Sequence, residues 1–167
     1  HDALPILLDT LQIKRDLLSA HSQKLDKLIA VVHWGVEYAT TPNQKQKEMA
    51  DFLFRHGVDY IIGGHPHVLQ PMELRGQDPY RQQFVLYSLG NFISNQSPEL
   101  GNALAGTGTF VWVDVTVGQT ADGTNDARVD ALHWHPFTVD NDGGRRLIDL
   151  AAARAGDVPA GCTLSAE

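Results

Sequence analysis

The sequence predicts an α/β fold in which parallel core strands are followed by a C-terminal antiparallel hairpin. Three observations predict it. Apolar runs at Lys27–Val32 and Val58–Ile62 flank a segment with helical periodicity, and a strand–helix–strand unit favours a right-handed parallel crossover. Val111, Val113, Val115 and Val117 alternate with Trp112, Asp114 and Thr116, the period of a strand with one buried face. Arg128–Val139 returns after the polar turn Gly118–Asp126 as its antiparallel partner. At 167 residues, 43% hydrophobic and 20% charged, the chain has the size and composition of one globular domain with a real core.

Taken in order, the first eight residues are too few to assign. Asp9 is an Asx cap with Gln12 three residues on, a capping-box pattern. Ile13, Leu17 and Ala20 follow at the spacing of an amphipathic helix that ends near Ala20. Lys27–Val32 reads as a buried strand and runs into His33-Trp34-Gly35, with Glu37 and Tyr38 close behind. The next helix is predicted to take Thr41 as N-cap, Pro42 as its first residue and Gln44 as capping-box partner. Met49, Phe52 and Leu53 form its apolar face, and Gly57 is its C-terminal cap. Val58–Ile62 then delivers Gly63-Gly64-His65-Pro66-His67. Beyond a polar connection at Arg75–Gln82, Phe84–Ser88 is a third core strand that ends in Leu89-Gly90-Asn91-Phe92. Asn95–Gly108, with Pro98 and three glycines, is predicted as a long loop of the kind that rims a site. Asn141-Asp142-Gly143-Gly144 closes the organised region. Leu147–Ala153 is predicted as a short terminal helix within a frayed tail.

Charge and composition remove several classes of function. A net charge of −7 argues against a nucleic-acid partner held through phosphates. No apolar run approaches the roughly 18 residues of a bilayer-spanning helix, and the opening residues do not read as a secretion signal. The single cysteine, Cys162, excludes an internal disulfide or a thiolate metal cluster.

The chemistry concentrates at strand ends. Ligands of open α/β sheets gather at the carboxyl ends of the strands. Pro66 fixes its own φ and restricts His65, which holds His65 and His67 in a stiff turn. In a parallel crossover His33 emerges at the same edge, so a shared site built on neutral imidazoles is expected there. The plain alternatives are a proline turn with surface histidines, or histidines that cap a core. Asn91 taken alone is a turn residue that tolerates left-handed φ. His133 and His135 fall on one face of the last strand, where Trp134 and Pro136 interleave; packing or surface placement is expected for them over metal binding.

His33-Trp-Gly-Val-Glu37-Tyr38, Gly64-His65-Pro-His67-Val68 and Tyr87-Ser-Leu-Gly-Asn91-Phe92, in that order and spacing, resemble the bacterial capsule-synthesis family. This is the CapA, or PgsA poly-γ-glutamate synthesis, group of the calcineurin-like metallophosphoesterase superfamily. The similarity runs from about Asp9 to about Pro136. It implies half of a metallophosphoesterase-like α/β sandwich: residues 1–140 would be the C-terminal half of the domain and 141–167 a tail. The Gly-Asp and Asn-His motifs that open such domains are not in this chain, so the missing N-terminal half is the first expected partner, and self-association of the isolated half is expected with it. The resemblance further implies His33, His65 and His67 as metal ligands and two divalent ions (manganese, zinc or iron) in the intact domain. The two histidines of the Gly-His-x-His motif would serve different ions. Glu37 would be a group behind the ligands or a proton carrier, and Asn91 a group that contacts substrate or fixes backbone. The function implied is a metal-dependent hydrolase in capsule or poly-γ-glutamate production. The alternative is a non-catalytic component of an envelope-polymer synthesis or export assembly. The expected location is extracytoplasmic or at the cell envelope, with any membrane anchor in a segment outside this chain.

Overall fold

A computed structural model describes residues 9–23, 25–77, 81–92, 94, 96, 102–119, 125–140 and 146–155. The described chain runs α1 (Thr10–His21), β1 (Ile29–His33), α2 (Gln44–Arg55), β2 (Tyr60–Gly64), β3 (Met72–Arg75) and β4 (Gln83–Leu86). A 3₁₀ turn at Ala103–Gly106 then leads into β5 (Thr107–Gln119), β6 (Asn125–Asp140), β7 (Arg146–Asp149) and α3 (Leu150–Arg154). Two sheets result, with strand orders β1-β2-β4-β3 and β5-β6-β7. β1, β2 and β4 pair in parallel as the crossover predicts, and β3 closes the far side antiparallel to β4.

Alternation along the short strands sorts the side chains into two cores. Ile61 and Val85 face the helices and pack with Leu17 of α1 and Ala50, Leu53 and Phe54 of α2. Tyr60, Phe84 and Leu86 face the other way, against Val129, Val111, Val113 and Leu132 of the second sheet. The first sheet is thus covered by helices on one face and by an antiparallel sheet on the other, the burial that a parallel sheet requires. Trp34 anchors the helix-side core at the site end: its indole N–H donates to the Tyr87 carbonyl at 2.9 Å. Glycine is required at position 63, because a Cβ there would collide with the Tyr87 carbonyl and the Trp34 indole.

Local signals placed α1 correctly and α2 slightly early. Asp9 accepts from the backbone N–H groups of Leu11 and Gln12, whereas the Gln12 side chain turns to Asp16 rather than back to the cap. The N-cap of α2 is Asn43, not Thr41, and its capping-box partner is Gln46, not Gln44. Both bonds of that box form, at 2.9 and 3.0 Å, and they use the stronger capping residue. The terminal helix expected over Leu147–Ala153 is divided. Arg146–Asp149 pairs with β6 as β7, and only Leu150–Arg154 is helical, capped by the Asp149 carboxylate. β3 was not expected from the sequence. The expected loop at 95–108 gives way to the 3₁₀ turn and the start of β5, its middle lying outside the described residues together with residues 156–167, Cys162 among them.

Candidate metal centre

β1 and β2 are in register, His33 opposite Gly64, so the residues that follow both strands leave the sheet at one edge. The His33 and His65 ring centroids lie 4.5 Å apart and those of His65 and His67 6.1 Å apart. The loop after β1 folds over the turn after β2. Trp34 N–H donates to the Gly64 carbonyl at 3.1 Å and Tyr38 N–H to the Pro66 carbonyl at 2.7 Å. These bonds carry Glu37 to the histidines. Candidate ligand atoms of Glu37, His65 and His67 all lie within 4.8 Å of one another. The tightest donor set among the described residues is therefore Glu37, His65 and His67, with His33 beside His65 at its rim.

The backbone at this edge is strained. Tyr38, His65 and His67, at φ of 64°, 98° and 60°, are the non-glycine residues with positive φ among those described, and all three belong to the two site loops. Each such residue costs on the order of 1–3 kcal/mol, and such strain concentrates at functional sites. Pro66 is buried between the two histidines, so the stiff turn exists, with left-handed backbone on both sides of the proline. Partial burial, and after it the neighbouring His33 imidazole, hold His65 below the ordinary histidine value; His67 adds to this and Glu37 opposes it. A depressed value keeps His65 neutral near neutral pH, the form in which imidazole binds metal.

Two imidazoles and a carboxylate form a donor set that zinc, iron and manganese accept. Ligand atoms about 2.0–2.2 Å from one ion stand roughly 3–4 Å from each other, within a small side-chain rotation of the spacing present here. The residues fit a divalent ion.

Behind the donors lies a buried amide framework that the motifs did not reveal. Gln46, 2% exposed, donates from its Nε2 to Gln70 Oε1 at 2.9 Å, and Gln70 Nε2 donates to the Ala39 carbonyl at 2.7 Å. Gly35, at φ 94°, lies directly against the Gln46 amide. The N-terminus of α2, the loop after β1 and the chain after the His-Pro-His turn are thereby tied together. The sequence signal for Gln46 is its place on the face of α2 that buries Ala50 and Leu53; Gln70, outside any periodic element, carries none. Asn91, 7% exposed, is also in place: its Oδ1 is 2.8 Å from His67 Nδ1. His133 and His135 lie in the other sheet, paired with Asp114 and Asp149 at 2.8 Å each, and take no part in the cluster.

Sequence comparison agrees with the span that builds this edge. The profile of the family described as bacterial capsule synthesis protein PGA_cap matches residues 4–96, which include α1 to β4 and His33, Glu37, His65, His67 and Asn91. PGA biosynthesis protein CapA of Bacillus subtilis (strain 168) is 38% identical over 80 residues, 48% of this chain and 20% of that protein. Capsule biosynthesis protein CapA of Bacillus anthracis is 41% identical over 71 residues, 42% of this chain and 16% of that protein. The matched stretch thus spans a fifth or less of these relatives. With more than half of its length, and every strand end of the site, inside the family profile, the chain belongs to the bacterial capsule synthesis protein family.

Proposed function

We propose that this chain carries part of a metallophosphoesterase-like, metal-dependent hydrolase site that serves capsule or poly-γ-glutamate biosynthesis at the cell envelope. The observation that supports it best is the convergence of Glu37, His65 and His67 on loops whose non-glycine left-handed residues all lie at this one edge. The chemistry such an ion supplies when bound is activation of water and neutralisation of charge on a transferred phosphoryl group. His65 and His67 offer imidazole nitrogens from a turn that loses little entropy on binding, because Pro66 and the Tyr38–Pro66 hydrogen bond already fix it. Glu37, exposed on the loop after β1, would balance the cationic charge. His33, with its ring 4.5 Å from that of His65, would serve a neighbouring ion. Groups from elsewhere in the full-length protein would complete a two-ion centre.

The test uses the intact protein. Metal content and hydrolysis of a generic phosphodiester are measured for the parent and for His65→Ala and His67→Ala. Bound metal that falls in both variants, together with hydrolysis that falls with it, is the expected result. Metal bound without hydrolysis would leave the site structural and favour a non-catalytic role in an envelope-polymer assembly. No metal in the parent would overturn the proposal.

A further inference from the structure

We propose that Asn91 is a positioning residue that fixes the tautomer of His67. The side-chain amide is used in full. Nδ2 donates to the Ala105 carbonyl at 2.7 Å and to the His67 carbonyl at 3.2 Å, while Oδ1 lies 2.8 Å from His67 Nδ1. Two carbonyls can accept only from the NH2 end of the amide, so the amide orientation is determined by its own neighbours. Oδ1 therefore points at the ring, and an amide oxygen can only accept. His67 Nδ1 must carry the hydrogen, which leaves Nε2 with the lone pair. A ring nitrogen that donates to a fixed acceptor sets which nitrogen is free to act as a ligand.

The clamp is itself held from below. Asn91 N–H donates to the Thr107 carbonyl at 3.1 Å. Gly90, at φ 71°, passes so close to Thr107 that a Cβ there would strike its carbonyl. Ala105, 1% exposed, lies in the 3₁₀ turn that leads into β5. His67 is thus steered by the opening of the second sheet, not only by its own turn. Its left-handed backbone is held by the same residue, through the Asn91 Nδ2 bond to the His67 carbonyl.

The decisive measurement needs no variant. Long-range ¹⁵N–¹H spectra of the intact, metal-free, histidine-labelled protein in mildly alkaline buffer, where imidazoles are neutral, report which nitrogen carries the proton. His67 with a protonated Nδ1 is expected; a protonated Nε2 would overturn the assignment. Asn91→Ala should release the ring toward a mixture of tautomers. Titration with Mn²⁺ or Zn²⁺ is the second readout and is the one that rests on the metal site proposed above. Asn91→Ala should weaken binding by about 10–100-fold. Unchanged affinity in a folded Asn91→Ala protein would count against the role. The two proposals fail separately: a parent that binds no metal yet shows the Nδ1 tautomer overturns the metal site and upholds Asn91, and metal binding with the Nε2 tautomer does the reverse.

Discussion

Glu37 stands four residues beyond His33, past the end of β1, and its carboxylate reaches His65 and His67 through the turn that Gly35 and Tyr38 make at positive φ. His65 and His67 were legible as a pair because they are neighbours in a rigid tripeptide. The place of Glu37 was not, because it depends on a hydrogen bond between two loops, Tyr38 N–H to the Pro66 carbonyl, that no local pattern encodes. The motif resemblance implied a group behind the ligands or a proton carrier; in the structure the carboxylate lies with the two imidazoles, within 4.8 Å of their candidate ligand atoms. Glu37→Gln in the intact protein is therefore expected to lower metal content as well as turnover. Retained metal with reduced turnover would return Glu37 to a proton-carrying role.

His65 gives a pH dependence at the same scale. Burial, then His33, lower its value in the folded chain, so in the window just below the ordinary histidine value of about 6.5 the unfolded chain binds more protons than the folded one. Stability then rises with pH through that window and is lost as pH falls from the unfolded value toward the folded one. Denaturant melts of metal-free protein between about pH 7 and about pH 5 should show a steeper loss for the parent than for His65→Asn. Parallel curves for the two would show that His65 does not contribute.

At the scale of elements, α2 links fold to site. Its capping glutamine, Gln46, accepts from Asn43 N–H through Oε1 and donates to Gln70 through Nε2, so the cap that starts the helix also braces the loop that carries Glu37. Gln46→Leu keeps the bulk but leaves the Asn43 N–H and the Gln70 oxygen without this partner in a buried setting. A loss of about 1–3 kcal/mol is expected, read as a lower midpoint in urea denaturation with an unchanged slope. A neutral result would mean that Gln70 finds another donor. The helix itself was legible, because capping chemistry and apolar periodicity are local, although its N-cap is Asn43 and not the expected Thr41. β3 and β7 were not legible. Met72-Glu-Leu-Arg75 and Arg146-Leu-Ile-Asp149 are four-residue strands too short to show a period, and each exists because a neighbouring strand, β4 or β6, offers a ladder to join.

At the scale of the molecule, the parallel sheet is covered unevenly. The second sheet packs on Tyr60, Ile62, Phe84, Leu86 and Met72, but among the described residues no β1 side chain joins that core. Ile29 and Val31 point to that side and are 54% and 78% exposed. Among the described residues β1 pairs with β2 alone, so within them its outer edge presents unpaired backbone groups beside exposed aliphatic side chains. An edge of this kind recruits another strand. In the full-length protein that strand is proposed to come from the remainder of the domain. In the isolated 167-residue chain it would come from a second copy. Light scattering of the isolated chain should accordingly show mass that rises with concentration. Val31→Lys, which places a charge on the exposed face of the edge strand, should shift the distribution toward monomer without lowering thermal stability, because the side chain it replaces is not packed. A monomer at every concentration tested would mean that the β1 edge is already satisfied within the chain, and the need for a covering strand would fall with it.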